Sequence, residues 1–184
     1  MSPLMIAAVV VAVLLGFVMS RYNRLVRLRN GTENAFATID VQLKQRCDLI
    51  PKVVDAMREY MGHERGTFEQ LTALREQASS PGASPEQRMA LDQQMAGMLR
   101  GLIVRAEAYP ELKASESVTM LQRSLNEVEG QIAAARRTFN AAVTTFNTAT
   151  EVFPANLIAG LFGFSRQGLF AASAADRDVP NTRA

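Results

Sequence analysis

Tryptophan is absent from this 184-residue chain, and histidine and cysteine occur once each. The lone cysteine, Cys47, rules out an intrachain disulfide and any cysteine-based zinc cluster, and it fits a reducing compartment. With His63 as the single histidine, a metal site would need carboxylates alone. His63 precedes Glu64, but HERGT lacks the second histidine of a zinc-protease helix, so His63 reads as a surface residue beside a helix break. GTEN and AGLFG contain glycines but follow no strand and lack the lysine and spacing of a phosphate loop. One-sided charge is missing too: the net charge is +2 and the basic residues form no long stripe, so nucleic acid is not an expected partner.

The remaining chemistry is thin. Cys47 lies beside an apolar stripe and reads as a buried small residue rather than a nucleophile. Glu33, Asp40 and Asp48 follow one another at seven or eight residues on nearly one helical face, the pattern of a solvated or ion-paired flank. No catalytic residue, cofactor site or metal site is expected, and the chain does not read as an enzyme.

What is present is hydrophobic pattern. PLMIAAVVVAVLLGFVM, Pro3 to Met19, is 17 residues without a charge. As a helix it covers about 26 Å, the short end of what spans a bilayer. Arg21, Arg24, Arg27 and Arg29 follow before the first acid, Glu33. This asymmetry predicts a single span with the N-terminus outside and the arginine side in the cytoplasm. The competing reading is a cleaved signal peptide, but no lysine or arginine precedes the run.

Beyond the anchor, Leu25, Leu28, Phe36, Ile39, Leu43, Ile50, Val53, Met57 and Tyr60 keep a three-four rhythm, with Thr32 and Arg46/Cys47 in the two gaps. Pro51 inside this run predicts a kink. A second run, Val118, Leu121, Leu125, Val128, Ile132, Ala135, Phe139, Ala142, Phe146, Ala149 and Phe153, alternates three and four over five heptads, the pattern of coiled-coil-like packing. Ser115 is its expected N-cap and Pro154 its stop. Two shorter helices lie between, one over 63–79 and one opening on a capping box at Ser84 and Gln87. YPELKAS reads as a linker. The expected fold is all-α: an N-terminal transmembrane helix, residues 1–20, then an antiparallel bundle of two long and two shorter helices, residues 21–153. Residues 154–164 form an apolar membrane-proximal segment, and residues 165–184 a flexible tail.

Helix lengths give the expected layout. The first long helix rises about 60 Å from Arg21 to Tyr60, and the last, of nearly equal length, returns. PANLIAGLFGF then arrives at the membrane surface, too short to span but rich enough in Leu157, Ile158, Leu161, Phe162 and Phe164 to enter the headgroup layer. A segment folded against the base of the bundle, or a buried oligomer contact, are the other readings. Facing residues on the two long helices then have numbers adding to about 174. Asp40 is placed opposite Arg136 and Arg137, and Lys44 and Arg46 opposite Glu127 and Glu129. Glu33, Asn34, Asn140 and Asn147 flank the seam and read as register-setting contacts. The methionines read as core filling.

RYNRLVRLRNGTENAFATIDVQLKQRCDLIP, EAYPELKA and EVEGQIAAARRTFNAAVTTFNTATEVFPANLIAGLFGF resemble the LemA family of bacterial membrane proteins, and the likeness runs from Arg21 to Phe164. The resemblance implies one N-terminal membrane helix, a helical body and no settled biochemical function. A magnetosome membrane protein shares the family, which implies a link to membrane organisation. Family members are often encoded beside a membrane protease or another small membrane protein, which implies adaptor roles. SRQGLF departs from the family pattern, which often continues with lysine, proline and tyrosine, so a basic membrane-facing tail is not carried over.

Two functions follow as expectations. The first is a non-catalytic, membrane-anchored scaffold or adaptor of the bacterial inner membrane. The alternative is a membrane-remodelling or lattice-forming protein that grips the bilayer through anchor and C-terminal segment. The expected partners are the lipid bilayer, unidentified proteins and, as an open option, further copies of the chain.

Overall fold

The computed structural model describes residues 2–170. Among them no strand occurs: the elements are α1 (Pro3–Arg58), a 3-10 turn (Gly62–Glu64), α2 (Arg65–Ala78), α3 (Pro85–Ala106), α4 (Pro110–Ala114), α5 (Glu116–Glu151) and α6 (Ala155–Leu161). The apolar run and the first body helix are one continuous element, because nothing between Met19 and Leu25 breaks a helix. Two short helices go beyond the sequence reading. YPELKAS, expected as a linker, forms α4 with Pro110 at its start, and the segment after Pro154 forms α6. The expected caps form: Ser84 Oγ accepts from the Gln87 N–H while the Gln87 side chain accepts from the Ser84 N–H, and Ser115 Oγ accepts from the Val118 N–H.

Residues 37–135 form one compact unit. Its core joins Ile50, Val53 and Met57 of α1 with Leu71, Met95, Leu102, Leu112 and Met61, each at most 2% exposed. The spacing of Val118, Leu125 and Val128 puts one face of α5 toward this core. Removing a side chain such as Leu102 would cost about 2–5 kcal/mol, the transfer term plus the cavity left behind.

α1 continues through Pro51 rather than ending there. A proline has no N–H, so the carbonyl one turn earlier, that of Cys47, loses its helical donor. Arg75 of α2 supplies a replacement: its Nε donates to the Cys47 oxygen at 3.1 Å. The defect in one helix becomes a tie to another.

Among the described residues, 2–36 and 136–170 form the second unit. The apolar start of α1, from Leu4 to Leu15, is exposed throughout. Its 18-residue apolar window is long enough to cross a membrane and has none of its residues buried. Packing begins near Val18 and centres on Leu25, which is buried with Ile158 and Ala159 of α6. Farther along, Phe36 meets Phe139 edge to face with ring centres 6.0 Å apart. As α1 numbers rise the α5 numbers fall, so the two helices run antiparallel here. Thr32, a polar break in the apolar rhythm, is buried and donates its hydroxyl to the Arg29 carbonyl at 2.7 Å.

Candidate functional site

The apolar segment after α5 folds as α6 and divides its residues between two environments. Ile158 and Ala159 turn inward onto Leu25, with Val18, Ala149 and Phe164 beside them. Leu157 and Leu161, four residues apart on the opposite face, are 65% and 78% exposed. Phe162 is 50% exposed, and Val152 and Phe153 just before α6 stand open as well. Phe153 ends the apolar rhythm of α5 but does not join its buried face.

Local chemistry fixes this arrangement. α6 ends in a Schellman motif: Gly163 takes φ +72°, and the Phe164 N–H reaches back to the Ala159 carbonyl at 2.9 Å. The left-handed residue is glycine because a Cβ there would be strained. The motif throws the Phe164 ring back over Ala159 and into a cluster of rings and cations. Phe164 lies 5.7 Å from the Tyr22 ring and 6.4 Å from the Phe146 ring, with the Arg29 guanidinium 5.6 Å above it. Tyr22 also meets Phe162 at 4.8 Å. Of the five residues expected at a membrane, Ile158 and Phe164 are therefore turned into protein, while Leu157, Leu161 and Phe162 stay open. A short helix has two faces, and packing claims one of them.

Beside this cluster lies a cleft of about 350 Å³ with Arg21 and Arg24 on one wall and Thr148, Val152 and Phe153 on the other. Two guanidiniums over apolar walls suit an anionic group attached to a greasy body.

The chain beyond Phe164 departs from the sequence reading. Residues 165–170, expected to begin a flexible tail, are laid along α5. Asn147 accepts the Gln167 N–H at 2.9 Å and donates to its carbonyl at 2.9 Å. Asn140 brackets Phe170 in the same way, at 2.9 and 3.1 Å. The Phe170 ring packs 4.5 Å from Phe139 and 6.2 Å from Phe36. Asn140 and Asn147, expected to set helix register, hold backbone instead. A primary amide carries the same donor and acceptor as the backbone, so composition gave no sign of this partner. The remaining part of the expected tail, residues 171–184, lies outside the described residues.

Of the residues of the expected charge pairs, Arg46, Asp40, Glu127 and Glu129 have partners within residues 37–135. Arg46 is buried with Asp92 of α3 at 2.7 Å, and its other nitrogen meets Glu129 of α5. Asp40, expected opposite Arg136 and Arg137, takes both its bonds from Arg88 of α3, at 2.8 and 3.0 Å. A two-helix layout could not place α3, which supplies the nearer guanidinium. Glu127 receives the side chain of Gln131 one turn along its own helix.

Asp40, Arg88 and Asp92 border a cleft of about 380 Å³ that Lys44, Cys47, Asp48 and Arg75 also line, together with the apolar Leu43 and Met95. Burial pushes the Cys47 thiol above its ordinary value, with a hydrogen bond from Ser79 pulling the other way. The protonated thiol is a poor nucleophile and a poor metal ligand. Among the described residues no cluster of three or more histidine, cysteine or carboxylate side chains has the geometry to hold a metal. The carboxylates Asp40 and Asp92 are engaged by arginines.

A model of the LemA family matches residues 35–183. The chain is similar to the Protein LemA of Metamycoplasma hominis, 27% identical over 157 residues, which covers 85% of this chain and 72% of that protein. It is also similar to magnetosome protein MamQ 2 of Paramagnetospirillum magneticum, 23% identical over 192 residues, 91% of this chain and 71% of that protein. Magnetosome protein MamQ of Magnetospirillum gryphiswaldense is 23% identical over 175 residues, 82% of this chain and 64% of its own.

Proposed function

We propose that this chain, which belongs to the LemA family, is a non-catalytic helical scaffold anchored in the bacterial inner membrane. Residues 3–19 of α1 span the bilayer, and α6 makes a second, shallow contact with the same leaflet. The observation that carries the reading is the exposed face of Leu157, Leu161 and Phe162 on a helix packed against Val18 and Leu25, where the apolar run ends. Three large apolar side chains that packing leaves open are stabilised at a headgroup boundary by about 25 cal/mol for each Å² removed from water. Arg21 and Arg24 sit at the same level and suit anionic headgroups. The arginine excess after the span supports a cytoplasmic body and an N-terminus outside. The protonated Cys47 and the arginine-engaged carboxylates support a role without catalysis.

A second reading, in which the protein shapes or organises membrane, draws on the same face. A helix wedged into one leaflet beside an anchor expands that leaflet, and the kinship with magnetosome proteins supports a role in organising an assembly. Flotation with liposomes tests the lipid contact directly. A chain starting at Arg21 is expected to float with vesicles containing anionic lipid, and Leu161→Ser with Phe162→Ser to remain at the bottom. Equal flotation of both, or of neither, removes α6 as a lipid contact.

A further inference from the structure

The bracketing of residues 165–170 by α5 has the geometry of a peptide-binding site. Asn140 and Asn147 are seven residues apart, a rise of about 10.5 Å along a helix, and three residues of extended chain cover about 10 Å. Helix and strap are thus in step: each asparagine meets one backbone unit, Gln167 and then Phe170, and uses both its donor and its acceptor on it. The bonds read main chain, so they tolerate any side chain at position 167. Selectivity comes from the aromatic ring three residues later, which fits against Phe36 and Phe139. With the strap in place Asn147 is 5% exposed, so the strap shields both bonds of its amide from water. An extended peptide that replaces the strap restores the same bonds and the same shielding.

We infer that this face is a binding site for an extended peptide with an aromatic residue, and that its occupant in trans is the strap of a second copy. Every copy carries the segment that fits: the spacing from Gln167 to Phe170 is matched to that of the two asparagines. Besides the two asparagines and the Phe170 ring, the strap is held by an exposed ion pair of Arg166 with Glu151 at 3.2 Å, a contact that adds little, while Leu169 faces solvent. Its own tether gives it an effective concentration in the millimolar range, so exchange in dilute solution is suppressed. Crowding of anchored copies in one bilayer relieves that suppression, and exchange then links neighbouring bodies.

Complementation between full-length copies tests this. One variant has a defective strap: Gln167→Pro removes the N–H that Asn147 accepts, and Phe170→Ala removes the ring. The other has a defective groove, Asn140→Ala with Asn147→Ala. With different tags in the same liposomes, the mixture has an empty groove on one copy and a free strap on the other. It is expected to co-purify at least tenfold more than either variant with itself. A mixture that pairs no better than the single variants overturns the exchange, as does pairing that survives both sets of changes. Amide hydrogen exchange on the unaltered protein guards against variants that misfold. The Gln167 and Phe170 amides are expected to be protected, and to lose protection when excess peptide GFSRQGLF is added. Amides that exchange at the free-peptide rate, or ignore the peptide, overturn the site itself. Displacement by peptide without co-purification of copies overturns the second copy as occupant.

Discussion

The Nε of Arg75 lies 3.1 Å from the carbonyl oxygen of Cys47, the one acceptor in α1 that Pro51 deprives of its helical donor. A proline within a helix is usually read as a break or a bend. Here the vacated carbonyl recruits a cation from the neighbouring helix, and α1 runs on to Arg58.

Pro51 and Arg75 should therefore be energetically coupled. Arg75→Met is expected to cost about 1–2 kcal/mol, the loss of a charge-assisted hydrogen bond to a part-buried acceptor. In a Pro51→Ala background the restored backbone N–H reclaims the carbonyl, and the same change should cost less than about 0.5 kcal/mol. Denaturation of the four chains in detergent measures the difference. Equal costs in both backgrounds would break the link between Pro51 and Arg75.

Asp92 and Arg46 are buried together, with side chains 1% and 3% exposed. Asp92→Ala leaves the buried Arg46 guanidinium with Glu129 alone and is expected to cost about 2–3 kcal/mol, the loss of a buried charge-assisted hydrogen bond. Replacing both residues, Arg46→Met with Asp92→Leu, should recover most of that loss. Glu129 is half exposed, so Glu129→Gln should cost less than about 1 kcal/mol. Thermal melts of the three variants rank these effects.

Asp40 identifies its partner by charge reversal. Asp40→Lys is expected to lower stability by up to about 1 kcal/mol, and Arg88→Glu to restore part of it. Restoration by Arg137→Glu instead would return Asp40 to the seam with α5.

The Cys47 thiol holds its proton more tightly in the folded chain than in the unfolded one, because burial disfavours the thiolate. The stability linked to that proton is complete below the ordinary thiol value. It is lost as pH rises through the higher folded value. Alkylation by iodoacetamide at pH 8 should accordingly be at least tenfold slower in the folded protein than in urea, where the thiol regains its ordinary acidity. Equal rates would place Cys47 in water.

The parts of the structure that repeat were legible in the sequence, and those that depend on a single side chain were not. The heptads from Val118 to Phe146 marked out α5 and its buried face, since many positions vote on one period. The capping box at Ser84 and the exposed apolar run at Pro3 were equally plain, because each has a local cause. Hydrophobicity alone places Leu157, Leu161 and Phe162 among the residues expected at a membrane, and they are exposed, but hydrophobicity cannot say that Ile158 and Phe164 turn inward. That choice depends on Gly163 and on Tyr22, distant in sequence. The pairing of Arg46 with Glu129 followed from two helices of matching length. Asp92 and Arg88 escaped, because the height of α3 beside them is set by loops whose lengths carry little directional information. Asn140 and Asn147 flank the apolar seam as polar residues expected to set its register, yet their partner is backbone, which has no signature in composition. The signal for Arg75 was present in Pro51, through the question of which donor would take the Cys47 carbonyl.

The central claim is that α6 touches lipid beside the anchor. A polarity-sensitive nitrobenzoxadiazole probe reports on this when attached at position 161 of the full-length chain, in a Leu161→Cys variant lacking the native thiol through Cys47→Ser. In liposomes its emission is expected to shift to the blue and to be quenched by lipids brominated near the headgroup, while the same probe at Leu169→Cys reports water. Emission at position 161 that matches water and ignores brominated lipid would contradict the account.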